Sequence, residues 1–141
     1  MKEVVFALSE DLGVAPPQLI RSGTQNLGTK IAALELPDGR LLVRPDLPVL
    51  ETLLALAHEM RHLWQVCNGM FSDSIAPEHY TDSSVDFEAY ALQPCEVDAN
   101  AYAQLVCENL LGLRPLWQGY SDNVKSAIAQ RRKEIVRERR K

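Results

Sequence analysis

No run of apolar residues in this chain approaches the roughly 18 that a membrane-spanning helix requires, so no helical membrane span is expected. Cysteine is scarce as well. Cys67, Cys95 and Cys107 are odd in number and widely spaced, so a disulfide framework is not expected; a reducing cytoplasm is the simplest setting, with each thiol a small buried hydrophobe. The opening stretch MKEVVFALSE has a short apolar segment interrupted by acids and no small-residue cleavage site, and does not read as a signal peptide. Repeats and low-complexity linkers are absent. Basic charge is missing from most of the chain. Residues 1–130 hold eight basic and 17 acidic side chains, whereas residues 131–141 hold seven basic and two acidic, within a net charge of −4. An acidic body with a basic tail is not a generic nucleic-acid binder, so nucleic acid is not an expected partner and only the 131–141 tail, read as a solvated helix end, could touch it.

What remains is a globular composition, with 46% hydrophobic and 24% charged residues in 141. One domain over residues 1–141 is expected, because a chain of this length buries roughly 68–70% of its unfolded surface. Good helix formers over 3–12 followed by Gly13 predict a first helix, and Ala15-Pro16-Pro17 breaks what precedes it. Residues 29–36 and 40–44 are apolar runs flanking Pro37-Asp38-Gly39, which predicts a hairpin. A helix is predicted from about 48 to 67, capped by Asp46 and stopped by Gly69, then a long polar loop over 68–90. Further helices are predicted from Cys95 to Leu111, closed by Gly112, and over 121–139. The order α, β, β, α, α, α gives an α+β domain with a small antiparallel sheet.

Chemistry is concentrated in His58-Glu59-Met60-Arg61-His62, an H-E-x-x-H within the second predicted helix. Positions four apart on a helix differ by about 40°, so both imidazoles point the same way and can hold one Zn²⁺. Glu59, offset by about 100°, sits beside such a metal, where its carboxylate can take a proton from attacking water. Leu53, Leu56, Met60, Leu63 and Cys67 lie on the opposite face, and Leu54 and Ala55 flank the histidines, so the motif is expected to be buried. The plain alternative is a pair of core histidines satisfied by hydrogen bonds.

A third ligand is required if one position is to stay open. A metzincin would carry Gly at 65 and His at 68, where Gln65 and Asn68 stand. His79 is the only other histidine and lies in the polar loop. The third predicted helix is the better source. With Glu96 as origin, Ala99, Asn100, Ala103 and Cys107 lie within about 60°, whereas Asp98 is about 200° away, so Glu96 is preferred. Asn100 shares that face, and its carbonyl oxygen can accept from a ligand imidazole and fix its tautomer. Tyr90 is a candidate donor to a developing oxyanion. Tyr102 is about 240° from Glu96 and reads as core, and Trp64 and Trp117 as packing residues.

HEMRH followed by Pro94-Cys95-Glu96-Val97-Asp98-Ala99-Asn100-Ala101-Tyr102-Ala103 resembles the ImmA/IrrE-type zinc metallopeptidases over roughly residues 48–111. Their pattern is H-E-x-x-H, then a helix beginning E-x-[DE]-A-[ND]-x-[FY]-A, in the manner of gluzincins. The resemblance implies a minimal zincin-like fold, His58, His62 and Glu96 as zinc ligands, Glu59 as general base and a peptide or protein substrate. An extended peptide is expected along the sheet edge near residues 40–44. The rival expectation is a non-catalytic metal-binding or protein-interaction module on the same scaffold, which a fourth ligand such as His79 or a cysteine would favour.

Overall fold

The structure, a computed structural model, describes residues 2–21, 32–35, 40–44, 48–70, 87–109, 112 and 120–139. Helix α1 (Lys2–Leu12) buries Val5, Leu8, Ser9 and Leu12, the stripe expected of an amphipathic helix. Ser9 bonds back to the Val5 carbonyl at 2.7 Å. Gly13 ends the helix at φ 68°, a left-handed conformation that side chains disfavour. Three strands follow: β1 (Gln18–Arg21), β2 (Ala32–Glu35) and β3 (Arg40–Val43).

The predicted hairpin pair is present, with β2 antiparallel to β3 and Leu34 opposite Leu41. Its turn, Pro37-Asp38-Gly39, lies outside the described residues. The all-antiparallel expectation fails at β1, which runs parallel to β3 with Leu19 opposite Leu41, so the sheet is mixed, in the order β1-β3-β2. A parallel partner needs no tight turn, and so leaves no local signal at residues 18–21. Strand β3 is central, and Leu41, Leu42 and Val43 are all buried, as befits a strand covered on both faces.

Helix α2 (Val49–Cys67) begins after Pro48, the N-cap residue, and carries Glu51 in its first turn, where a negative charge suits the helix dipole. Asp46, the cap expected from sequence, lies outside the described residues. The helix ends as Gly69 turns to φ 63° and the Met70 amide bonds the Gln65 carbonyl at 2.9 Å. Leu53, Leu56, Ala57, Met60 and Leu63 are buried, and Leu54 and Ala55 pack against the core. Cys67 is exposed, contrary to expectation, because it closes the last turn of the helix. Cys95 and Cys107 are buried as expected, and burial pushes the Cys107 thiol up to about 11.

A short helix α3 (Phe87–Ala91), missed in the polar loop, leads into α4 (Pro94–Asn109). Proline at the first helical position has no amide to leave unpaired. Ala99, Ala101 and Ala103 are fully buried, and their small side chains let α4 pack closely. Helix α2 is packed between the sheet and α4. Helix α5 (Asp122–Arg139) lies on α4 through Val124, Ile128 and Ile135, and the Ser121 hydroxyl accepts from the Val124 amide at 3.3 Å.

The basic segment is not a loose end. As far as Arg139 it is the second half of α5, with Ile135 buried. Arg131 pairs with Asp98, Arg132 with Glu108 and Arg139 with Asp11. The acidic body takes up these three cations. Tyr102 is core, as expected, with its hydroxyl donating to Asp11 at 2.8 Å. No helix among the described residues is long and apolar enough to cross a membrane.

Candidate metal centre

The helical spacing of His58 and His62 and the packing of α4 on α2 bring three side chains together. His58 Nε2 lies 3.0 Å from His62 Nε2 and 3.0 Å from Glu96 Oε2, and His62 Nε2 lies 3.3 Å from Glu96 Oε1. Their ligand atoms all fall within 4.8 Å of one another, and among the described residues no fourth metal-binding side chain joins them. His62 and Glu96 are buried and His58 is half-buried. Asp98, two residues from Glu96, turns away to Arg61, as the helical offset predicts.

Two amide side chains orient the imidazoles. His58 Nδ1 is 2.8 Å from Asn100 Oδ1, as expected for Asn100, and His62 Nδ1 is 2.8 Å from Gln65 Oε1. A carbonyl oxygen only accepts, so each Nδ1 carries a hydrogen and each Nε2 faces the cluster. Gln65 was noted in the sequence only as a mismatch to another motif; its position three residues after His62, on the same helix face, was the available signal.

Chemically this donor set suits zinc. Two imidazole nitrogens and one carboxylate are a known catalytic combination that leaves a fourth position open. Tetrahedral ligands at roughly 2.0–2.1 Å from zinc stand about 3.3 Å from one another, close to the separations above. Tyr90, on α3, donates to Glu96 Oε1 at 2.8 Å. Burial, then the charge and hydrogen bond of Glu96, push its phenol far above the ordinary value, so it stays a donor. Glu59 is half-buried, and its charge acts on both His58 and Tyr90. Tyr120, which the sequence did not single out, hydrogen-bonds Asn100 and feels the charge of Glu96. Position 120 is distant in sequence from both motifs, and only the packing of α5 brings it here. His79 and Trp117 lie outside the described residues, as does most of the predicted 68–90 loop.

Without metal, a proton takes the cation's part. Burial alone would lower the His58 pKa, but the hydrogen bond and charge of Glu96 outweigh it and raise it to about 9. Burial likewise opposes ionisation of Glu96, yet its bonds to His58 and His62 hold its carboxyl well below the usual range. The metal-free protein should hold the full His58–Glu96 contribution between about pH 4.5 and 6.5, lose it as pH rises through about 9, and lose it in acid as Glu96 takes up a proton. A metal cation entering the cluster must displace that proton, so metal affinity is expected to rise about tenfold per pH unit below about 9. Isothermal titration between pH 6 and 8 checks this; a flat affinity would contradict it.

No curated protein and no solved structure matches the chain. A family model does, and over most of its length: residues 20–139 match the Putative metallopeptidase family (DUF6782), a span that takes in strands β2 and β3, the two helices that carry His58, His62 and Glu96, and α5. By that match, the chain belongs to this metallopeptidase family.

Proposed function

We propose that the chain is a zinc-dependent peptidase of the ImmA/IrrE type, with His58, His62 and Glu96 as the zinc ligands and Glu59 as the general base. The observation that carries this reading is the convergence of two Nε2 atoms and one carboxylate at 3.0–3.3 Å, with both Nδ1 atoms held against amide oxygens. When bound, zinc lowers the pKa of water and polarises a scissile carbonyl. Glu59 accepts the proton of the attacking water and returns it to the leaving amide nitrogen. Tyr90 donates its single hydroxyl hydrogen to Glu96 Oε1 from the side of α3, and serves a developing oxyanion only by releasing that bond.

An extended peptide substrate needs a free strand edge. The expected edge at residues 40–44 is not one, because β3 is paired on both sides. Among the described residues, strand β2 (Ala32–Glu35) is the edge strand that packs against α2, and we assign the peptide to it. The test is hydrolysis of an unfolded protein such as reduced casein. Chelation is expected to reduce cleavage to background, and one equivalent of zinc to restore it. Cleavage that survives metal removal would contradict the mechanism. A zinc-loaded protein that binds peptides without cleaving them would favour the interaction-module alternative.

A further inference from the structure

We infer that Gln65, Asp98 and Arg131 form a positioning relay for His62, which makes the C-terminal helix α5 part of the metal centre. The inference rests on the zinc-site reading above and extends it to residues that touch neither metal nor substrate. Gln65 is 3% exposed and fully engaged: Oε1 accepts from His62 Nδ1 at 2.8 Å, while Nε2 donates to the Cys95 carbonyl at 2.9 Å and to Asp98 Oδ2 at 2.8 Å. Those two acceptors fix which end of the amide faces His62. A rotated amide would turn its oxygen onto two other oxygens and its hydrogens onto an Nδ1–H. Asp98 thereby sets the tautomer of a ligand it does not touch.

Asp98 is in turn held from two helices. It is fully buried and accepts four hydrogen bonds: Arg61 Nε at 2.7 Å and Gln65 Nε2 at 2.8 Å on Oδ2, Arg61 Nη2 at 3.0 Å and Arg131 Nε at 2.8 Å on Oδ1. Arg61 belongs to the H-E-x-x-H segment itself, and its guanidinium lies 3.6 Å from the centre of the Trp64 ring. Arg131 comes from α5, where Glu134 and Glu138 restrain it. A buried carboxylate acting through an amide fixes the orientation of the imidazole at its far end. The two imidazoles are therefore secured differently. His58 depends on Asn100, from the helix that supplies Glu96, whereas His62 depends on a chain of bonds ending in α5.

A double-mutant cycle read by zinc affinity tests this, using zinc alone in competition with a chromophoric chelator. The proteins are wild type, Gln65→Met, Arg131→Gln and the double variant, with Arg132→Gln as the control for α5 packing, since Arg132 binds Gln104 and Glu108 rather than Asp98. Gln65→Met is expected to weaken zinc binding about 10–100-fold. Arg131→Gln should weaken it by a smaller factor, Arg132→Gln should leave it unchanged, and the double variant should bind no more weakly than Gln65→Met. An Arg131 effect that persists in full without Gln65 would overturn the relay, as would wild-type affinity in Gln65→Met. Should Gln65→Met fail to fold, equal affinities for Arg131→Gln and Arg132→Gln would overturn it by themselves. A wild type that binds no zinc defeats the zinc-site reading and the relay together; tight wild-type binding with unaltered variants defeats the relay alone.

Discussion

Glu59→Gln is expected to retain one zinc per chain and to lose peptide hydrolysis by about 10²–10⁴-fold, the usual worth of a positioned general base. Glutamine preserves the volume and the neutral hydrogen-bonding capacity of the side chain but cannot take a proton from water. The placement of Glu59 supports so selective a loss. It lies one residue from His58 on α2, outside the cluster of His58, His62 and Glu96, yet close enough for its charge to act on His58 and on Tyr90. Steady-state hydrolysis and metal analysis on the same preparation check the two halves together. Full residual activity would move the base elsewhere, and loss of zinc would make Glu59 a ligand.

The second large effect separates two acids that stand two residues apart on α4. Glu96→Ala is expected to abolish zinc binding while the metal-free fold persists, and His58, freed of its partner, should lose its raised pKa of about 9. Asp98→Ala should do the reverse in the main. It leaves Arg61, with 5% of its side chain exposed, and Arg131, with 16%, facing an empty site. Removing one member of a buried ion pair costs about 3–5 kcal/mol, which for a chain of this size lowers Tm by on the order of 10 °C. Zinc affinity in Asp98→Ala should fall only as far as the relay through Gln65 dictates. Thermal unfolding by circular dichroism, beside zinc titration, checks both variants. Equal zinc losses with equal Tm would mean that the two carboxylates do not divide the work.

These residues also show what the sequence could reveal. Helix periodicity was sufficient for the local part of the site. It aligned His58 with His62, and it separated Glu96 and Asn100 from Asp98 on α4, which is how they stand across α2. Glycines at 13, 69 and 112, all at positive φ, marked helix ends for the same local reason. Contacts that depend on how elements meet were not legible. Parallel pairing of β1 with β3 leaves no turn between them, so the strand at residues 18–21 was missed and β3 was mistaken for an edge. Arg131 reads in the sequence as one of a run of bases, and only the packing of α5 on α4 directs it to a buried carboxylate 33 residues away. Tyr120 joins the surroundings of the site by the same packing. Gln65 is the intermediate case. Its spacing from His62 was visible, but the need for an amide there depends on Cys95 and Asp98 from another helix.

The most direct test of the metal centre is the zinc content of the untagged wild-type protein, purified without added metal and measured by inductively coupled plasma mass spectrometry beside His58→Ala. One zinc per wild-type chain, absent from His58→Ala with its helical signal intact, is the expected result. A wild type free of zinc, whose stability zinc and chelator leave unchanged, would make His58 and His62 a structural pair satisfied by Asn100, Gln65 and Glu96 alone.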